Sequence, residues 1–218
     1  MNRLYKKQTG FTIMELMIAI SVLSIILMIS AYVLTGIGGL YSKGTNYSNV
    51  QNASRNIIQD LSSDIQFSNS PVIQSATSIN HDQAICIGNI RYSYTIFNFS
   101  SVYAIWKDQM TYAANSPSQC VSLNLNQASP SCTGTSPGCI ASVPNSGENL
   151  AGPNMRVGQL NVIGGFRIYS ISIELIDGID KNMFTKPPNS SLYYCSNQSG
   201  QQYCAVSILS TVAARRLD

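Results

Sequence analysis

The chain has 218 residues, 13 of them Lys or Arg and 10 Asp or Glu, with one His and six Cys. Three of the cations, Arg3, Lys6 and Lys7, stand in the first ten residues, so everything after Gly10 balances at 10 against 10. That balance argues against a nucleic-acid surface, which needs cations gathered on one face, and a lone histidine leaves little for acid–base or zinc chemistry.

From Phe11 to Leu34 the sequence is apolar for 24 residues and holds one formal charge, Glu15. A helix of that length rises about 36 Å, enough to cross a hydrocarbon core of about 30 Å with room for tilt. Thr12, Glu15, Ser21, Ser24 and Ser30 are too sparse to give it a solvated face, so it reads as a membrane segment. The cations before it place the N-terminus in the cytoplasm and the rest of the chain on the exported side. A secretory signal would carry its small-residue cleavage site after the apolar core. Here the small residue, Gly10, comes first, so a cut there removes the basic leader and leaves the span.

KKQTG followed by FTIMEL, residues 6–16, resembles the type IV prepilin family, which includes minor pilins and the pseudopilins of type II secretion. The likeness rests on the basic leader, Gly10 at the cleavage point, Phe11 as the new N-terminus, Glu15 as the fifth mature residue, and the span that follows. It implies that a prepilin peptidase cuts after Gly10 and N-methylates Phe11. It also implies that an inner-membrane assembly platform passes the product into a filament of other pilins or pseudopilins, in the periplasm or outside the cell. Glu15 is then the assembly residue. Phe11 and Glu15 are four apart and are expected on one helical face, and the resemblance favours pairing of the Phe11 amine with Glu15 of a neighbouring subunit. The segment from Tyr47 to Ser68 looks like the helix continuation of J-type pseudopilins and W-type minor pilins.

After the span, Gly36, Gly38 and Gly39 each cost a helix about 1 kcal/mol relative to alanine, so a weakened or locally unwound point is expected at the membrane exit. Val50, Ala53, Ile57, Leu61 and Ile65, with Ile58 beside them, then form one apolar stripe, and Asn69, Ser70 and Pro71 stop it. Such a stripe predicts packing on a sheet. Residues 90–99 alternate, with Ile90, Tyr92, Tyr94 and Ile96 on the buried face and Arg91, Ser93 and Thr95 on the other. Val102 to Trp106 is a second strand, with Lys107 and Asp108 in the turn after it. Residues 166–177 are the longest strand, with a phase change between Ile168 and Tyr169 that predicts a bulge, and 205–212 are the last. Antiparallel strands packed on an amphipathic half-helix make an α+β, pilin-like fold with a long N-terminal helix. The expected divisions are a cleaved leader, 1–10; a transmembrane half-helix, 11–34; an amphipathic half-helix, 35–68; and one exported head, 69–218. Gln127 to Gly158, rich in Ser, Pro, Gly and Asn, reads as a long surface loop.

Cys86, Cys120, Cys132, Cys139, Cys195 and Cys204 all fall on the exported side, where an even number reads as disulfides. Zinc is disfavoured, since no C-x-x-C pair occurs and His81 is the only histidine. The most local pairing joins Cys132 to Cys139 and Cys195 to Cys204, leaving Cys86 with Cys120, while spacing alone leaves the others open. A Cys195–Cys204 bridge before the last strand would resemble the disulfide-bounded C-terminal region of many pilins. GTSPG, Gly134 to Gly138, fits G-x-S-x-G around Ser136, but it lies in the Pro-rich loop rather than between a strand and a helix. No H-E-x-x-H or G-x-x-x-x-G-K occurs, and His81, beside Asp82, reads as an exposed loop residue. DGIDKN, residues 177–182, gathers oxygens of the kind some pseudopilin heads use for calcium, yet as a turn it needs no metal. No catalytic residue, metal or cofactor is expected. The function that follows is a structural subunit of a type IV pilus or type II secretion-like filament, a minor pilin or pseudopilin; a filament-tip adhesin or DNA-uptake pilin is the alternative.

Overall fold

The computed structural model describes residues 10–75, 82–110, 113–126, 147–165, 167–196 and 203–216. They fall in two compact units, one running to Ser42 and the other beginning at Lys43, and the helix α1, Ile13–Phe67, contributes to both.

In the first unit α1 is apolar on every side, with Ile18, Val22, Ile25 and Leu34 all exposed. It is long and apolar enough to cross a membrane. Its serines bond to their own helix: Ser21 and Ser24 donate to the carbonyls of Ile18 and Ser21, and Ser30 to that of Ile26, each at 2.8 Å. Hydrocarbon offers no water to pair with polar groups, and a helix whose hydroxyls turn onto its own carbonyls meets that demand. The glycines do not interrupt it. Gly36, Gly38 and Gly39 lie in continuous α-helix, against the expectation of an unwound point. Breaking the helix and restarting it would need a second unfavourable nucleation, whereas extending it through each glycine costs only about 1 kcal/mol.

The second unit is the α+β head. Here α1 buries Val50, Ser54, Ile57, Ile58, Leu61 and Ile65, and it ends just before Asn69, Ser70 and Pro71. A first sheet is an antiparallel meander of β1 (Val72–Gln74), β2 (Asp82–Ile87), β3 (Ile90–Thr95), β4 (Ile105–Gln109) and β5 (Glu148–Asn149). A second antiparallel sheet places β6 (Met155–Gly165) and β10 (Ala205–Ala214) on either side of β7 (Ile168–Asp177). Between β7 and β10, a 3-10 turn at Lys181–Met183 leads into β8 (Phe184–Thr185), which pairs with β9 (Tyr194–Cys195). The two large sheets meet where β3 runs out: Ile96 bridges Val157 in parallel, and the Phe97 N–H donates to the Val157 carbonyl at 2.8 Å. Ile57, Leu61 and Ile65 share one core with Ile85 and Tyr92 of the first sheet and Val157, Ile171 and Leu175 of the second.

Several strands differ from expectation. β3 is buried on both faces, with Arg91, Ser93 and Thr95 as inaccessible as Tyr92. The cover on its second face comes from the chain around Cys120, joined to β2 by the Cys86–Cys120 disulfide and held by the Leu123 N–H donating to Ser93 Oγ at 3.0 Å. Arg91 tolerates burial because Asp108 accepts from its Nε at 2.9 Å and its Nη2 at 2.6 Å, while the Val121 carbonyl accepts from Nη1 at 2.9 Å. A two-pronged charged pair whose third nitrogen also donates is the geometry in which a buried ion pair offsets its desolvation. Lys107 and Asp108 are therefore strand residues of β4, not a turn. On the other face Lys107 reaches Asp64 of α1 at 3.1 Å, and the Tyr92 hydroxyl donates to the same carboxylate. Burial, and then the Asp64 carboxylate, push the Tyr92 hydroxyl far above the ordinary tyrosine range, so it remains a donor. β7 runs without a bulge; the register shift is in its partner β6, between Val157 and Gln159. β6 also begins inside the stretch expected as loop, and so does the short β5.

Candidate processing and assembly site

Gly10 and Phe11 precede α1 in open space. No described atom lies within 4 Å of where a Cβ on Gly10 would stand, and Phe11 is 80% exposed. Packing among the described residues therefore places no demand for glycine at position 10.

Thr12 opens the helix. Its Oγ1 accepts from the Glu15 N–H at 3.3 Å. In return Glu15 Oε2 accepts from the Thr12 N–H at 3.3 Å and from the Thr12 hydroxyl at 3.2 Å. The Thr12 carbonyl accepts the first helical bond, from the Leu16 N–H at 3.2 Å. This reciprocal arrangement is a capping box, and it satisfies donors that a helix start otherwise leaves unpaired. It also seats a carboxylate in the first turn, where the helix dipole favours negative charge. In a membrane the box has added value, because lipid supplies no alternative acceptor.

The geometry revises the expectation that Phe11 and Glu15 share a helical face. The helix begins at Ile13, so Phe11 lies outside it and does not share a helical face with Glu15. The side chain that meets the carboxylate is Thr12. T-x-x-E ahead of an apolar run is the sequence signal for such a box. Both Thr12 bonds fall on Oε2, and Oε1 takes no part in the box. A carboxylate so held is oriented by its own helix.

The remaining singled-out residues divide simply. Disulfides join Cys86 to Cys120 and Cys195 to Cys204; Cys132, Cys139, Ser136 and His81 lie outside the described residues. In the DGIDKN stretch Asp177 ends β7, and Asp180 caps the 3-10 turn, its Oδ1 accepting from the Asn182 N–H at 3.0 Å. Among the described residues no three His, Cys, Asp or Glu side chains gather as a metal site.

Residues 5–31 match the prokaryotic N-terminal methylation motif. The match takes in Gly10, Phe11, the Thr12–Glu15 box and the apolar part of α1 as far as Ala31, and it stops short of the head. No curated protein and no solved structure matches the chain.

Proposed function

We propose that this type IV prepilin-like protein is a minor pilin or pseudopilin, a structural subunit of a type IV pilus or type II secretion-like filament. Its N-terminal motif implies processing by a peptidase and assembly with other pilins, and its apolar helix implies a membrane anchor with an exported head. In the finer reading, prepilin peptidase cuts after Gly10 and methylates Phe11, the N-terminus faces the cytoplasm, and an inner-membrane platform moves the mature subunit into the filament. The leader is then 1–10, the lipid-embedded half-helix 11–34, the amphipathic half-helix 35–68 and the head 69–218.

The observation that carries this reading is the Thr12–Glu15 box at the head of a helix whose apolar side chains face outward all round. A charged group inside a span costs roughly 2.5 to 3.5 kcal/mol at its centre and less toward its ends, so a retained glutamate marks function. Cutting after Gly10 creates an ammonium group at Phe11, and the free Glu15 oxygen is an acceptor for such a group from a neighbouring subunit. In low dielectric the pair is favourable only when both partners are present, which makes it a register device between stacked helices. The balanced charge beyond Gly10 disfavours the DNA-uptake alternative.

The test is Glu15→Ala, expressed in the host that carries the matching assembly machinery. The variant is expected to insert and be cut as the parent is, yet to be recovered in sheared filaments or cross-linked pilin complexes about tenfold less. Parental recovery of Glu15→Ala in those fractions would overturn the assembly role.

A further inference from the structure

Three individually unfavourable features converge on one wall of the head. β6 shifts register between Val157 and Gln159, and at Gly158 a Cβ would stand 2.7 Å from Oε2 of Glu174. Glycine there makes room for a carboxylate that is 1% exposed and whose Oε2 has no hydrogen-bond partner among the described residues. The other oxygen, Oε1, accepts from the backbone N–H of Tyr193. Tyr193 in turn stacks on Phe97, ring centroids 4.0 Å apart and planes 9° from parallel. Phe97 has φ 48°, the left-handed region that a bulky side chain disfavours, and the Val157 carbonyl holds its N–H in place. Strained backbone and a half-satisfied buried carboxylate persist where the surrounding structure over-determines them, and such features concentrate at functional sites. What they fix together is the Phe97–Tyr193 pair.

That pair walls a cavity of about 490 Å³. Lys181 and Lys186 line it, and among the described residues no acidic side chain does. Lys186 Nζ lies over the Tyr193 ring, 5.1 Å from the centroid, so the ring that the buried carboxylate anchors also holds the ammonium group in position. Asn182, Thr185 and Ser196 add amide and hydroxyl groups to the same lining.

We propose that this cavity binds an acidic saccharide of one or two rings. Its carboxylate would lie between the Lys181 and Lys186 ammonium groups, and its hydroxyls would bond to Asn182, Thr185 and Ser196. The apolar edge of a sugar ring would meet the ring edges of the Phe97–Tyr193 pair, since Phe97 covers one face of the Tyr193 ring and Lys186 the other. The volume falls in the range of small-ligand sites. A nucleic acid fits less well, because two isolated lysines without an arginine make no track for a run of phosphates, and the chain beyond Gly10 has no cationic excess to extend one. The site lies wholly within the head and does not depend on how the protein enters a filament.

Full-length protein in detergent micelles, titrated calorimetrically with digalacturonate, a neutral galactose disaccharide and a short oligothymidylate, tests the proposal. Digalacturonate is expected to bind saturably and at least about tenfold more tightly than the neutral sugar. Lys181→Gln and Lys186→Gln should each weaken it by about tenfold, as loss of one charged hydrogen bond does, with the unfolding midpoint unchanged. Absence of saturable digalacturonate binding, equal binding of the neutral sugar, indifference to both lysine substitutions, or preferred binding of the oligonucleotide would each overturn it.

Discussion

The two parts of α1 obey the same helical geometry and find cover in different places. Before Ser42 the apolar residues run all round and no described residue of the chain buries them; after Lys43 they narrow to a stripe that lies in the head's core. The width of the apolar surface decides the partner. A full cylinder of Ile, Leu and Met needs lipid or similar helices on every side, whereas the stripe from Val50 to Ile65 needs one sheet, which the same chain supplies. The hydroxyls differ in the same way: Ser21, Ser24 and Ser30 donate to carbonyls of their own helix, while Ser54, buried in the head, has a hydroxyl without a partner among the described residues.

The sharpest way to break this comparison is truncation in each half. Leu61→Ala removes a fully buried side chain and is expected to cost the head about 2 to 5 kcal/mol. Ile25→Ala, in the exposed half, should leave head stability within about 0.5 kcal/mol. Denaturant unfolding in micelles, followed by the fluorescence of Trp106, the single tryptophan, reads both. Equal effects would mean that the two halves are covered by the same body.

A slightly smaller loss is expected from replacing Cys86 and Cys120 together by serine, about 2 to 4 kcal/mol for a native bridge. It should fall on the head and leave insertion of the first unit untouched, as membrane fractionation would show. Insertion failing along with the head would erase the distinction between the two units.

Much of α1 is legible in the sequence because both of its patterns are periodic: an unbroken apolar run, then Val50, Ala53, Ile57, Leu61 and Ile65 at three- and four-residue steps. The outer face of β3 is not. Arg91, Ser93 and Thr95 alternate like a solvated face, and their cover comes from irregular chain around Cys120 to Leu125, where no period announces packing. Arg91 and Asp108 are 17 residues apart, so local pattern gives no hint that they pair. β6 is hidden because its first residues, Met155 to Gly158, fall at the end of the Ser-, Pro- and Gly-rich stretch that reads as loop, although ten of its residues pair with β7 across a register shift. At the N-terminus Phe11, Glu15 and the span stand in plain view. Thr12 carries a signal just as local, T-x-x-E, whose meaning as a capping box depends on the helix starting at Ile13.

Thr12 supplies a finer contrast between the halves. Thr12→Ala is expected to weaken the helix start by about 0.5 to 2 kcal/mol, fraying the first turn in amide exchange without moving the head's unfolding midpoint. A shifted midpoint would tie the cap to the head's fold.

The smallest expected effect is a pH slope. Burial raises the Glu174 carboxyl above its ordinary range, and this outweighs the Tyr193 N–H and the Lys186 charge, which act the other way. A raised acid in the folded state contributes stability that is fully present below the ordinary carboxylate range and is lost as pH rises through the raised value. The head should therefore gain stability as pH falls from neutral toward that range, and Glu174→Gln should flatten the gain. An unchanged slope in Glu174→Gln would place the effect on another group.

We propose that the chain is cut after Gly10 and joins a filament through the helix thus exposed. Intact-mass measurement on protein taken from membranes of its own host tests it most directly. The expected product is a chain beginning at N-methylated Phe11, and in Gly10→Val an uncut chain that keeps its leader. Parent protein retaining Met1 or its leader in a cell with an active prepilin peptidase, or cut at any other bond, would contradict it.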